Sequence, residues 1–156
     1  MKKVATAANE FGKACNGSDM KLCYHNHSFE FAKIDGDTTG FNVLENELDD
    51  KCCKFELDVF WAKIAGVDPV ELMKGLRGRI TQVHLKDLKD GSKLNFDEGT
   101  VPHEAFEELG DGNVDLKTVM SLAEEIGVEY CHVEQDQSPD PIASITRSMR
   151  YLEENR

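Results

Sequence analysis

The chain has 156 residues, with 18 Lys and Arg against 30 Asp and Glu, for a formal charge of −12. That length suits one domain with a sizeable core. No apolar run approaches the ~20 residues of a bilayer crossing, and so acidic a chain repels a polyanion, which excludes membrane and nucleic acid as partners. Met1-Lys2-Lys3-Val4 has the basic start of a signal peptide, but no apolar stretch follows it. The five cysteines, Cys15, Cys23, Cys52, Cys53 and Cys131, are odd in number and lack metal-type pair spacing. They read as reduced thiols, and the chain as cytoplasmic.

Helical periodicity opens the chain over residues 4–15, and a strand-like run covers 21–27. A helix over 41–49 follows, with Phe41, Leu44 and Leu48 on one face. Residues 54–58 read as a second strand. In the helix over 68–76, Asp68 can cap, Pro69 suits the first helical position and Glu71 closes a capping box. A third strand over 80–86 leads into a connection from Asp87 to Val114. At about 28 residues it is too long for a turn and is expected to act as a lid; His103 within it reads as a solvated loop residue. The helix over 115–126 carries Leu116, Val119, Met120 and Ala123 on one stripe, and Gly127 suits its C-cap. A fourth strand over 130–136 and a last helix over 141–153, striped by Ile142, Ile145, Met149 and Leu152, end the chain. All these stripes are assigned to the core. Strands separated by helices pair in parallel through right-handed crossovers. An open α/β sheet and part of a (β/α) barrel both fit. Neither a Gly-x-Gly-x-x-Gly fingerprint nor a Gly-Lys-Ser/Thr phosphate loop is present.

Side chains of a strand alternate with period two. That puts His25 with His27, Glu56 with Asp58, Gln82 with His84 and Lys86, and His132 with Glu134 and Asp136. Buried parallel strands normally read as continuous Val, Ile and Leu. Here every strand carries a His or an acid near its C-terminal end, where α/β folds place ligands. In a barrel these faces converge at one rim, and His25, Asp58, His84 and Glu134 arrive together. Two imidazoles and two carboxylates suit a divalent cation, Mn²⁺, Co²⁺, Zn²⁺ or Mg²⁺, with positions left for substrate or water. A hydrogen-bonded polar rim is the other reading of the same spacing.

Five stretches carry a resemblance: Tyr24-His25-Asn26-His27-Ser28-Phe29-Glu30-Phe31, Phe55-Glu56-Leu57-Asp58-Val59-Phe60-Trp61 running to Asp68-Pro69, Val83-His84-Leu85-Lys86-Asp87, Leu109-Gly110-Asp111-Gly112-Asn113-Val114-Asp115, and Val133-Glu134-Gln135-Asp136. Together they resemble the sugar phosphate isomerase/epimerase family, the xylose-isomerase-like TIM barrels. A full barrel of this type needs about 250 residues. The resemblance therefore implies an α/β fold that is a partial (β/α)8 TIM barrel. It would hold roughly strands five to eight, as a single domain over 1–156 with the N-terminal half absent. It implies a divalent metal on Asp58, His84 and Glu134, with His25 where tagatose-3-epimerase-like members carry a Glu. Trp61 stands where epimerase-like members often carry a substrate-binding His.

The implied activity is that of a metal-dependent isomerase or epimerase on a ketose or keto-sugar, phosphorylated or not. A proton would be abstracted beside the carbonyl, which the metal polarises. Glu134 would be the base, His25 or His27 would lie opposite, Lys86 would stabilise the enediolate oxygen, and Glu30 and Trp61 would hold the sugar. His25 breaks the two-carboxylate symmetry of the epimerases, so a keto-sugar lyase or dehydratase is the alternative. An inactive fragment or assembly partner, completed as a homodimer or by a missing half-barrel, is a third.

Overall fold

In the computed structural model, which describes residues 1–155, a four-stranded parallel sheet organises the chain. Helix α1 (Lys2–Asn16) precedes strand β1 (Leu22–His25). It lies so close to the chain entering the second sheet strand that a Cβ at Gly12 would fall 1.9 Å from the Cys52 carbonyl oxygen, so only glycine fits there. A small hairpin, β2 (Lys33–Asp35) and β3 (Thr38–Thr39), leads into α2 (Gly40–Glu47). Strand β4 (Cys53–Asp58) runs directly into α3 (Val59–Ile64), and α4 (Pro69–Gly75) returns the chain to β5 (Ile80–Leu85). The long connection contains two short paired strands, β6 (Asp87–Leu88) and β7 (Phe106–Glu107). Helix α5 (Leu116–Ile126), strand β8 (Tyr130–Val133) and helix α6 (Pro141–Glu154) complete the fold.

The sheet order is β1-β4-β5-β8, every pair parallel, as the alternation of strand and helix predicts. On one face Phe55, Leu57, Val83 and Leu85 are fully buried against Phe41, Leu44, Phe60, Met73, Leu116 and Val119. On the other face stand Glu56, Asp58, Gln82 and His84. This is the two-residue alternation read from the sequence. No described helix is long and apolar enough to cross a membrane.

Several expectations change. Strands β1, β5 and β8 stop at His25, Leu85 and Val133, so His27, Lys86, Glu134 and Asp136 sit on the segments that leave the sheet. Helix α3 has no apolar period long enough to announce it; Asp58 starts it by accepting the Trp61 N–H. Glu71 closes no capping box. Asp68 takes the N–H groups of Val70 and Glu71 by itself, and the Glu71 carboxylate pairs with Lys74. The full capping box is at α2, between Thr39 and Asn42.

The stripes divide. Leu116, Val119 and Ala123 of α5 are core, but Ile142 of α6 is 75 % exposed, and Ile145 and Met149 are also exposed. On α1 the same holds for Val4 and for Phe11, 67 % exposed. These helices flank β1 and β8, the outer strands of the sheet, where nothing among the described residues continues the layer.

Candidate metal centre

Register brings the site together. His84 on β5 pairs with Asp58 on β4, and His25 on β1 pairs with Glu56, two residues back along β4 and on the same face. The result is a cluster of His25, Asp58 and His84 whose ligand atoms all lie within 4.8 Å of one another. His25 Nε2 is 3.4 Å and His84 Nδ1 is 3.8 Å from Asp58 Oδ2. The two oxygens of Asp58 have separate tasks. Oδ1 accepts the Trp61 N–H at 3.0 Å and caps α3, which leaves Oδ2 facing the imidazoles.

Charged groups surround this triad. His84 Nδ1 is 2.7 Å from Glu134 Oε2, and His84 Nε2 is 2.8 Å from Glu56 Oε1. Lys86 Nζ lies 2.9 Å from Glu134, 3.0 Å from Asp136 and 3.2 Å from Asp58 Oδ2. Burial pulls the His84 pKa down, but hydrogen bonds to Glu56 and Glu134 and nearby negative charge outweigh it, and the net shift is up. Burial likewise opposes the charge on Lys86, yet Asp58, Glu134 and Asp136 raise its pKa. Burial pushes Glu134 up, but the hydrogen bond and charge of Lys86, with His84, bring it down to about 2.

The residues fit a divalent cation. His25 Nε2 and Asp58 Oδ2 are buried with no hydrogen-bond partner, although such groups are almost always satisfied. Lys86 attracts Asp58 Oδ2 by charge but is not aligned to bond it. Two nitrogens and one oxygen converging on one point form a donor set for a borderline metal. The charge balance agrees, since Glu56, Asp58, Glu134 and Asp136 outnumber the one lysine among them. With a cation bound, a proton on Nε2 of His84 would be donated to Glu56, and Nδ1 would be free to ligate. Metal-binding imidazoles are commonly oriented in this way.

A cleft of about 320 Å³ lies beside the cluster, lined among others by His27, Trp61, Glu98, His103 and Asp136. The Trp61 ring is 5.3 Å from that of His27 and lies under Lys86 Nζ at 5.5 Å. The connection expected to act as a lid does reach this cleft, through Glu98, Val101, His103 and Phe106. Its return is anchored by Asp87, whose fully buried carboxylate accepts the backbone N–H groups of Leu88, Gly110, Gly112 and Val114.

Of the site residues read from the sequence, His25, Asp58, His84, Glu134 and Lys86 come together, while His27 and Trp61 face the adjoining cleft. Glu30 takes another place, and Lys86 another role. Glu30 is 1 % exposed; it accepts the Tyr24 hydroxyl at 2.7 Å and the His27 N–H at 2.9 Å, so it holds the turn that carries His27. Lys86 is 2 % exposed, and its three N–H groups face three carboxylates, which makes it the counter-ion of the cluster. Glu56, Asn26, Asp136 and Glu98 were not singled out as site residues, and His103 lies at the cleft, not merely in a solvated loop. Period-two alternation carried a signal for Glu56 and Asp136. It carried none for Asn26, which it assigns to the opposite face.

The family model described as xylose isomerase-like TIM barrel matches residues 1–155. The inosose dehydratase of Clostridium tetani (strain Massachusetts / E88) is 28 % identical over 164 aligned residues, covering 98 % of this chain and 54 % of the relative. That of Clostridium perfringens (strain 13 / Type A) is 27 % identical with the same coverage. The crystal structure of a sugar phosphate isomerase/epimerase from Parabacteroides distasonis ATCC 8503 shares the fold, with a TM-score of 0.79 at 21 % identity over 97 % of this chain and 52 % of that one. The chain spans about half the length of the relatives it matches.

Proposed function

The chain belongs to the xylose isomerase-like TIM barrel family, and from that premise we propose that it is the site-bearing half of a metal-assisted dehydratase acting on a keto-sugar or keto-cyclitol. In this reading residues 1–156 form one domain, and the open edges of β1 and β8 pair with further strands, from more chain or from a second copy, to complete a (β/α)8 barrel. Free cysteines fit a cytoplasmic setting. His25, Asp58 and His84 would hold the cation, with Glu134 beside them. The two imidazoles favour Mn²⁺, Co²⁺ or Zn²⁺ over Mg²⁺. When bound, such a cation acts as a Lewis acid that makes a proton beside a carbonyl easier to remove.

The single observation that carries elimination over epimerisation is the unlike pair of proton-handling groups. Epimerisation exchanges a proton across two faces and suits two matched acceptors. Here a carboxylate, Glu134, stands beside the cluster, and an imidazole, His27, stands in the cleft. Lys86 and His84 hold Glu134 as a carboxylate beside the cluster, where it would take up the proton removed from the substrate. His27 can give one, and a hydroxyl leaving the carbon next but one to the carbonyl needs one. Lys86 keeps Glu134 and Asp136 in place. Trp61 offers an aromatic face, and Glu30 fixes the backbone of His27. The relatives named inosose dehydratase support the same class.

Incubation of the Mn²⁺-supplemented protein with an inosose in D₂O tests this. A product lighter by one water supports it. An isomer of unchanged composition carrying one solvent deuterium would overturn it in favour of epimerisation.

A further inference from the structure

Asp58 is the member of the triad on which both imidazoles converge, and its placement is unusually constrained. The ladder between β1 and β4 ends with His25 opposite Glu56. One residue later Asn26 is fully buried, and its side chain takes over the pairing. Asn26 Oδ1 accepts the backbone N–H of Asp58 at 3.0 Å, and Asn26 Nδ2 donates to the backbone carbonyl of Asp58 at 3.3 Å. Both backbone groups of one residue are thus held by one amide. The Trp61 N–H fixes Oδ1 of the same residue. Asp58 can then offer only Oδ2, in one direction, and that atom is buried without a hydrogen-bond partner. Asn26 sits between His25, which faces the cluster, and His27, which faces the cleft, so its amide also ties β1's exit to β4's.

We infer that Asn26 is a positioning residue that sets Asp58 Oδ2 for cation binding by replacing a missing rung of the β1–β4 ladder. This rests on the cation reading of the His25, Asp58 and His84 cluster. Asn26 touches no cation itself. Loss of its amide would free the Asp58 backbone, and groups that orient a metal ligand are typically worth about 10–100-fold in affinity.

The test is Mn²⁺ titration, followed by electron paramagnetic resonance, of the wild-type chain and of Asn26→Ala and Asn26→Ser, with circular dichroism and cation-free Tm recorded for each. Asn26→Ser is the fallback should Asn26→Ala not fold. Co²⁺ absorption spectra report the ligand geometry. The expected result is a folded variant whose Mn²⁺ dissociation constant rises about 10-fold or more, with an altered Co²⁺ spectrum. A variant with lower Tm but unchanged Mn²⁺ affinity and Co²⁺ spectrum would show a purely structural amide and overturn the inference. A wild-type chain that binds neither ion overturns the cation reading as well, and the two failures are thereby distinguished.

Discussion

The middle of the sheet and its two margins are written in similar sequence and end in different environments. Strands β4 and β5 lay Phe55, Leu57, Val83 and Leu85 under helices and hold Asp58 and His84 at their ends. At the margins, α1 and α6 carry apolar stripes of the same kind, yet Phe11 and Ile142 face outward. An apolar stripe reports that a face needs cover; it does not report that the cover is present. The same division affects charge. Lys86 and Asp58 are sealed, so their charges must be balanced locally, whereas His132 at the β8 margin is exposed and hydrogen-bonds to the neutral Gln82.

The largest effect is expected at the centre of the charge cluster. Lys86→Met removes the one lysine facing Asp58, Glu134 and Asp136. Uncompensated buried charge costs about 3–5 kcal/mol when one partner is deleted. Because Glu134 and Asp136 each keep about a third of their side-chain surface in water, the lower end applies. Urea unfolding without divalent cations measures it, and added Mn²⁺ should restore part of the loss. A loss below about 1 kcal/mol would mean the cluster is not sealed. Comparable in size is Leu57→Ala, in the fully buried centre of β4, expected to cost about 2–5 kcal/mol through lost burial and a cavity. A thermal melt of the variant checks it.

Much of this contrast was legible beforehand. Period two placed Asp58, His84 and their neighbours on one face, and parallel pairing followed from the order of elements. What escaped had a local cause. The strands read as running to His27, Lys86 and Asp136 stop at His25, Leu85 and Val133, because the chain leaves the ladder before the polar run ends. Asn26 replaces a backbone rung with a side-chain amide, which no hydropathy pattern records. Glu30 was expected to hold a sugar, but a carboxylate three residues after His27 reaches back to its N–H in the short 3₁₀ turn. The exposed stripes on α1 and α6 depend on what lies beyond the sheet edges, and a stripe within one helix carries no information about that.

Acid should separate the regions next. The folded pKa of Glu134 is lowered from 4.5 to about 2 by Lys86 and His84. A lowered carboxylate pKa contributes stability that is fully present above the unfolded value and is lost as pH falls through the folded one. In cation-free protein, stability should therefore fall between about pH 4.5 and about pH 2. Glu134→Gln should flatten that part of the curve, measured by Tm against pH. An unchanged slope would mean that Glu134 is not held by Lys86 and His84 in solution.

The smallest change is expected at the margin. Ile142→Ser, on the exposed stripe of α6, should alter the stability of the uncovered chain by no more than about 0.5 kcal/mol, the usual range for surface positions. Its interest lies in the contrast with Leu57→Ala, since both remove an aliphatic side chain from an apolar row. If α6 is covered in solution by further strands and helices, Ile142 is a core residue of that larger assembly. The loss should then exceed about 1 kcal/mol and depend on protein concentration where the cover is a second chain. Equilibrium unfolding at two concentrations, with light scattering on the same samples, separates a bare margin from a closed barrel.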